Sequence, residues 1–221
     1  MTGLPESTIF TSLEGAKKWL VSELSAYETY DEGHRYPWDN YLWRSEKFRR
    51  AHLDVVDARD TKRLYMMHLT VFPHTDDGSP VFGFDLIAGP KKVTGAFHDF
   101  SPIDENHEML LGFKERVTPM TWSKKRELPE WARNIFSEDM VSAGFITDVE
   151  ELESVIGLVK SNLQYYLSKV GARGDKDFTD AQNKYCFWQK QNPHTPKVMA
   201  ALGYQDEEVN KFIQECLFPE K

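Results

Sequence analysis

Four strand-like runs follow one another almost without pause between residues 48 and 100: FRRAHLDVVDA, RLYMMHLTVFP, PVFGFDLIAG and KVTGAFHDF. The links between them are far shorter than the dozen or so residues that a parallel crossover needs. Two of the links carry turn chemistry, DDGSP at 76–80 and GPKK at 89–92. Strands joined in this way run antiparallel and pair in chain order, so the centre of the chain is predicted to be a meander.

The flanks read differently. Residues 12–27 have helical spacing, with Ser12 as N-cap and Ala16, Trp19, Leu20 and Leu24 on one face. A polar, aromatic-rich segment, YDEGHRYPWDNYLW, separates this helix from the strands. Beyond the meander the chain is mainly helical, interrupted by a short strand near 140–147. ELPEWARNIFSED is one helix candidate, and DVEELESVIGLVKSNLQYYLSKVG, opened by Thr147 or Asp148, is a stronger one. A third begins at TDAQNKYCFWQKQ and must be interrupted by Pro193 and Pro196 before KVMAALG continues. Strands in the middle with helices on either side define an α+β fold, its helices packed on the sheet faces. With no repeat, linker or low-complexity segment, residues 1–221 read as a single domain.

Charge and composition narrow the function. A formal net charge of −8 disfavours nucleic acid, which needs a basic footprint. Positive charge nevertheless collects at Arg44, Lys47, Arg49 and Arg50, at Lys91 and Lys92, and at Lys124, Lys125 and Arg126, where an acidic protein could dock. Six tryptophans in an aromatic fraction of 13% suit either an aromatic core or a chain that stacks against something large and flat. No apolar run is long enough to cross a bilayer, and MTGLPESTIF lacks the pattern of a secretory signal. Two cysteines, Cys186 and Cys216, are too few and too far apart for a CxxC pair or an iron–sulfur cluster, and point to a reducing compartment.

One residue in the meander breaks the strand pattern. Asp85, in VFGFDLIAG, sits among apolar neighbours, where a lone charge costs several kcal/mol. A loop centred at 76–77 places His68 opposite Asp85, and an earlier loop centred near Thr61 places Asp54 opposite His68. A GPKK turn centred at 90–91 places Ala96 beside Asp85. Asp54, His68 and Asp85 are thus predicted to form one row on one face, with opposed Cβ atoms roughly 4.5–5.5 Å apart. A histidine between two carboxylates can hold a proton near neutral pH and pass it to a substrate being reduced. A buried structural pair is the alternative, and a two-carboxylate, one-imidazole metal site a weaker one that lacks a further ligand.

At this point the chain resembles the ferredoxin-dependent bilin reductases, from about Trp43 to Phe218. The resemblance rests on FRRAHLD at 48–54, MHLTVFP at 67–73, PVFGFDLIAGP at 80–90, RELPEWARNIFSE at 126–138 and QKQNPHTPKVMAALG at 189–203. It is strongest to the phycocyanobilin-forming branch and its short, phage-associated, phycoerythrobilin-forming relatives. The resemblance implies a three-layer α/β/α sandwich with biliverdin IXα held between the central antiparallel sheet and the C-terminal helices. It implies His68 and Asp85 as catalytic residues, no cofactor or metal bound by the chain, and electrons from a reduced 2Fe–2S ferredoxin. Arg126 matches a position that contacts a propionate. Asn192 and Pro193 fall where the phycocyanobilin enzymes carry Asn-Asp, and His194 and Lys197 are candidates for the propionates or the pocket rim. Asp54 replaces a glutamate linked to reduction of the D-ring vinyl group, which together with Pro193 favours phycoerythrobilin over phycocyanobilin as product. A monomer in the cytosol of a cyanobacterium or its phage-infected host completes the expectation. A bilin carrier that does no chemistry is the rival reading, but it has no need of a histidine–aspartate pair in its sheet.

Overall fold

The computed structural model describes residues 6–34 and 36–221; residues 1–5, part of the stretch read above for a secretory signal, lie outside them. The meander is present and extends at both edges into a seven-stranded, fully antiparallel sheet whose strands are neighbours in chain order. Its strands are β1 (Glu28–Thr29), β2 (Asp39–Arg44), β3 (Phe48–Ala58), β4 (Leu64–Pro73), β5 (Val81–Ala88), β6 (Val93–Ser101) and β7 (Val141–Ala143).

The pairings at the centre agree with the predicted register. Asp54 faces His68 across β3 and β4, and His68 faces Asp85 across β4 and β5. The next pairing is off by one. Asp85 faces Phe97, and Ala96 faces Leu86. The cause is a bulge: Ile87 pairs with Gly95 but Ala88 with Val93, so Thr94 is the extra residue. Thr94 Oγ1 donates to the Ile87 carbonyl (3.0 Å), anchoring the irregularity.

The helices are α1 (Glu6–Leu24), α2 (Arg59–Lys62), α3 (Glu108–Val117), α4 (Val149–Lys169), α5 (Thr179–Gln189), α6 (His194–Ala201) and α7 (Asp206–Lys211). A π-helical turn, Phe212–Leu217, continues α7. Helix α1 begins before Ser12, which is no cap; its hydroxyl donates to Glu153 of α4 (2.5 Å). ELPEWARNIFSED yields only a 3₁₀ turn, Glu130–Asn134, because Pro129 starts it in extended backbone and Ile135 leaves helical φ at its end. Helix α4 starts at Asp148, whose carboxylate accepts from the Glu151 amide (3.0 Å). Pro196 is tolerated in α6 because it sits in the first turn, where no helical partner exists for its missing N–H.

The two faces of the sheet are covered unequally. Leu53, Val55, Met67, Leu69, Phe84 and Leu86 point to the layer of α1, α3 and α4 and join the larger apolar cluster. Their neighbours in sequence, Asp54, His68 and Asp85, point to the opposite layer, built from α5, α6, α7 and the π-helical turn. Helix α4 is pinned to the sheet by buried polar contacts: Tyr166 Oη donates to the Pro80 carbonyl (2.8 Å), and Asn162 Nδ2 lies 3.0 Å from His98 Nε2. Because α4 backs the strands that carry the polar row, its cap contributes to the whole sandwich. Asp148→Ala is expected to cost about 1 kcal/mol, measured as a lower midpoint in urea unfolding.

Candidate functional site

The polar row lies on the floor of a cavity of about 330 Å³ between the sheet and the C-terminal helices. Across the sheet the row reads Asn40, Asp54, His68, Asp85, Phe97 and Ser142, one residue from each strand from β2 to β7. Strand alternation alone brings these side chains to one face. Above Gly83, in the next row on β5, stands the Tyr185 hydroxyl, which would lie at an ordinary contact distance of 3.6 Å from a Cβ at that position. That hydroxyl in turn accepts from Gln189 Nε2 (2.8 Å).

The two acids differ in their surroundings. Asp54 is buried and accepts a short hydrogen bond from the Trp38 indole N–H. Asp85 is half-buried on the cavity floor. Burial pushes Asp54 up to about 7, against the Trp38 hydrogen bond and with help from the Asp85 charge. Burial likewise pushes Asp85 up to about 7. His68 moves the other way, down to about 4, through burial and then the Arg50 cation. The expectation that His68 holds the proton near neutral pH is therefore corrected. Loss of water outweighs the attraction of the neighbouring acids, which are themselves largely uncharged below pH 7. Near neutral pH the carboxyls, rather than the imidazole between them, are the groups that still carry protons. The His68 Nδ1 is buried without a partner among the described residues, and its ring stands edge-on to Phe218 at 5.6 Å.

Arg126 also lines the cavity. The backbone at 124–126 pairs with β7, Arg126 N donating to the Ser142 carbonyl (2.8 Å) and Gly144 N to Lys124 (2.9 Å). Gly144 is required here, since a Cβ would meet Arg126 Cγ at 2.5 Å. The guanidinium donates to the Thr94 carbonyl (3.2 Å) and, among the described residues, makes no ion pair. A carboxylate entering the cavity would therefore find it uncompensated.

The remaining candidates divide. Asn192 and His194 line the cavity; the Asn192 side-chain oxygen accepts from the His194 amide (3.0 Å), so it also starts α6. Pro193 and Lys197 are exposed and do not line the cavity. Sequence reasoning missed Trp38, Trp131, Phe218 and the Tyr185–Gln189 pair, all part of the walls or of the support for Asp54. For Trp38 the signal was the aromatic density of YDEGHRYPWDNYLW, without any indication of its partner. Asp99 lines the cavity too and is pushed up to about 6 by burial, but Ser101 and Ser137 already donate to its oxygens. Among the described residues no three His, Cys, Asp or Glu side chains converge as a metal site, and no helix is long and apolar enough to cross a membrane.

An apolar cavity with protonated carboxyls and a neutral imidazole beneath it is suited to giving protons to a bound molecule as electrons arrive from elsewhere. The chain matches the ferredoxin-dependent bilin reductase family over residues 6–219 and belongs to it; it is a ferredoxin-dependent oxidoreductase. Among individual relatives, it is 27% identical to the phycocyanobilin:ferredoxin oxidoreductase of Trichodesmium erythraeum, over 90% of this chain and 83% of that one. It is 30% identical to the corresponding enzyme of Prochlorococcus marinus, over 81% and 74%. The solved structure of PcyX superposes with a TM-score of 0.70 at 32% identity, covering 95% of this chain and 99% of PcyX. Tomato phytochromobilin synthase in complex with biliverdin has the same fold, with a TM-score of 0.72 at 14% identity.

The raised carboxyls have a consequence for stability. A carboxyl that is easier to protonate in the folded than in the unfolded chain stabilises fully below the unfolded value near 3.8, and that contribution is lost as pH rises through the folded value near 7. Asp85→Asn, which cannot ionise, is therefore expected to gain about 2–3 kcal/mol on wild type between pH 5 and pH 8. Thermal unfolding of both proteins at the two pH values reads this directly.

Proposed function

We propose that this chain reduces biliverdin IXα to phycoerythrobilin by way of 15,16-dihydrobiliverdin, in two successive two-electron steps supplied by ferredoxin. The observation that carries the reading is the Asp54–His68–Asp85 row on the floor of a cavity that also holds an unpaired guanidinium. Ferredoxin delivers one electron at a time, and each two-electron step adds two protons to the tetrapyrrole. Between deliveries the bilin itself holds the unpaired electron. The protein binds the ligand, excludes water and supplies protons. Asp85, whose carboxyl is still partly protonated near neutral pH and faces the cavity, is the first donor; neutral His68 beside it passes protons on. Arg126 holds a propionate, with Asn192 and His194 at the same wall, and Pro193 and Lys197 near the rim.

The choice of product rests on Asp54. Its carboxyl is one methylene shorter than a glutamate, and the Trp38 indole ties it to the sheet. Such an acid does not reach the D-ring vinyl group. Reduction then falls on the bridge between the C and D rings and afterwards on the A-ring diene. Phycocyanobilin as product is a second reading, favoured by the names of the relatives at 26–30% identity. A carrier that does no chemistry fits neither the family nor the site.

Anaerobic incubation with biliverdin and reduced ferredoxin, followed by chromatography, tests this. A phycoerythrobilin isomer is expected; a phycocyanobilin peak would overturn the reading of Asp54, and unchanged biliverdin absorbance would overturn the substrate. With the ligand bound and electrons in excess, the rate is expected to fall as pH rises through about 7, where Asp85 loses its proton. Asp85→Asn should still bind biliverdin but lose at least ~100-fold in turnover, in line with the removal of a general acid. Full turnover by that variant would remove Asp85 from the mechanism.

A further inference from the structure

Beyond Arg126 the cavity rim carries a surface feature that proton delivery leaves unused. Phe145 stands 39% exposed, with a backbone φ of 57°. A bulky side chain adopts that left-handed conformation only when its surroundings impose it. The surroundings are two backbone ladders: Gly144 N donates to the Lys124 carbonyl (2.9 Å), and Ile146 N to the Val93 carbonyl (2.9 Å). Strain is thus spent on holding an aromatic ring in water.

Three cations gather on this ring. Lys124 Nζ lies 4.3 Å from its centroid, Lys92 Nζ 4.7 Å and the Arg126 guanidinium carbon 6.0 Å. Lys91 and Lys125 are exposed next to them in the chain. Among the described residues none of these four lysines forms an ion pair, in a chain of net charge −8. Glu127, next to Arg126 in the chain, and Glu151 and Asp148, which accept from Ser123 and from the Glu151 amide, form no ion pair with them among the described residues. The patch is also continuous with the cavity. The same guanidinium lies 5.7 Å from the centroid of Phe97, and Phe97 faces Asp85 across the sheet. An aromatic centre in a ring of unpaired cations is the anatomy of a protein-docking site for an acidic partner.

We infer that the ferredoxin docks on this patch, its carboxylates meeting Lys92 and Lys124, its apolar surface seated on Phe145, and its cluster facing the cavity past Arg126. The inference rests on the reading that the bilin occupies the cavity. Each docking passes one electron: the iron–sulfur cluster is oxidised by one, the bilin is reduced by one, and the proton comes from the acid row.

Two variants test it, Lys92→Gln/Lys124→Gln and Phe145→Asn, the latter because asparagine tolerates left-handed backbone. Each is expected to raise the KM for ferredoxin about tenfold at low salt while changing biliverdin affinity less than twofold. The double variant should also flatten the fall of activity with ionic strength. The control Lys18→Gln/Lys184→Gln removes two exposed lysines on α1 and α5 and should leave both unchanged. Titration of each protein with oxidised ferredoxin, without bilin, keeps the two readings apart. Weaker binding by the patch variants supports the docking face whichever pigment the wild type makes. Wild-type affinity in both patch variants, or an equal loss in the control, overturns it.

Discussion

The site depends on an unbroken antiparallel register across β3, β4 and β5. A slip of one residue would turn Asp54, His68 and Asp85 into the layer of α1 and α4, where each polar group would be buried without partners at a cost of several kcal/mol. The same slip would expose Leu53, Val55, Met67, Leu69, Phe84 and Leu86, now buried in the larger apolar cluster. Transfer of that many large side chains costs about 1.5–3 kcal/mol each. The polar face is therefore aligned by residues that never touch it. Hydrophobic patterning on one side of the sheet sets the chemistry on the other.

This explains which parts were readable in advance. Both pairings of His68 could be obtained from turn positions, because β3, β4 and β5 meet with no irregularity between them at that level. The failure came at Thr94, where KVTGAF gives no sign that one residue is extra; the bulge is fixed by a side-chain hydrogen bond to Ile87 that only the folded hairpin contains. Strand β2 went unread because its six residues lie within a segment crowded with charge, glycine and proline. The 3₁₀ turn at Glu130–Asn134 resembles a helix in composition and is cut short by its backbone at both ends.

The chemistry of the row was only half legible. Which residues meet follows from strand arithmetic, but which of them carries the proton follows from solvent exclusion. Charge neighbours argue for a protonated His68; burial under the C-terminal helices reverses this. Those helices come from residues 179–217, more than ninety positions from Asp85 in sequence. The same distance hides Phe218. Trp38, nearer in sequence, was invisible for another reason: its hydrogen bond to Asp54 requires the loop before β2 to fold back over the sheet. The resemblance to a family implied roles for Asp54, His68 and Asp85, and burial decides which of them holds its proton more readily.

The unequal covering of the sheet has a mechanical meaning. On one side stand α1 and α4, of 19 and 21 residues. On the other, α5, α6, α7 and the π-helical turn are short pieces held by the smaller apolar cluster and by polar anchors such as Arg50 Nη2 to the Cys216 carbonyl (2.6 Å) and Gln182 Nε2 to the Pro73 carbonyl (3.3 Å). Local opening is cheapest where buried apolar contacts are fewest. The layer over the polar row therefore has the lower free energy of local opening, while the thicker layer keeps the strands in step. The register of the polar row is thus held from the side of the sheet that the row does not face.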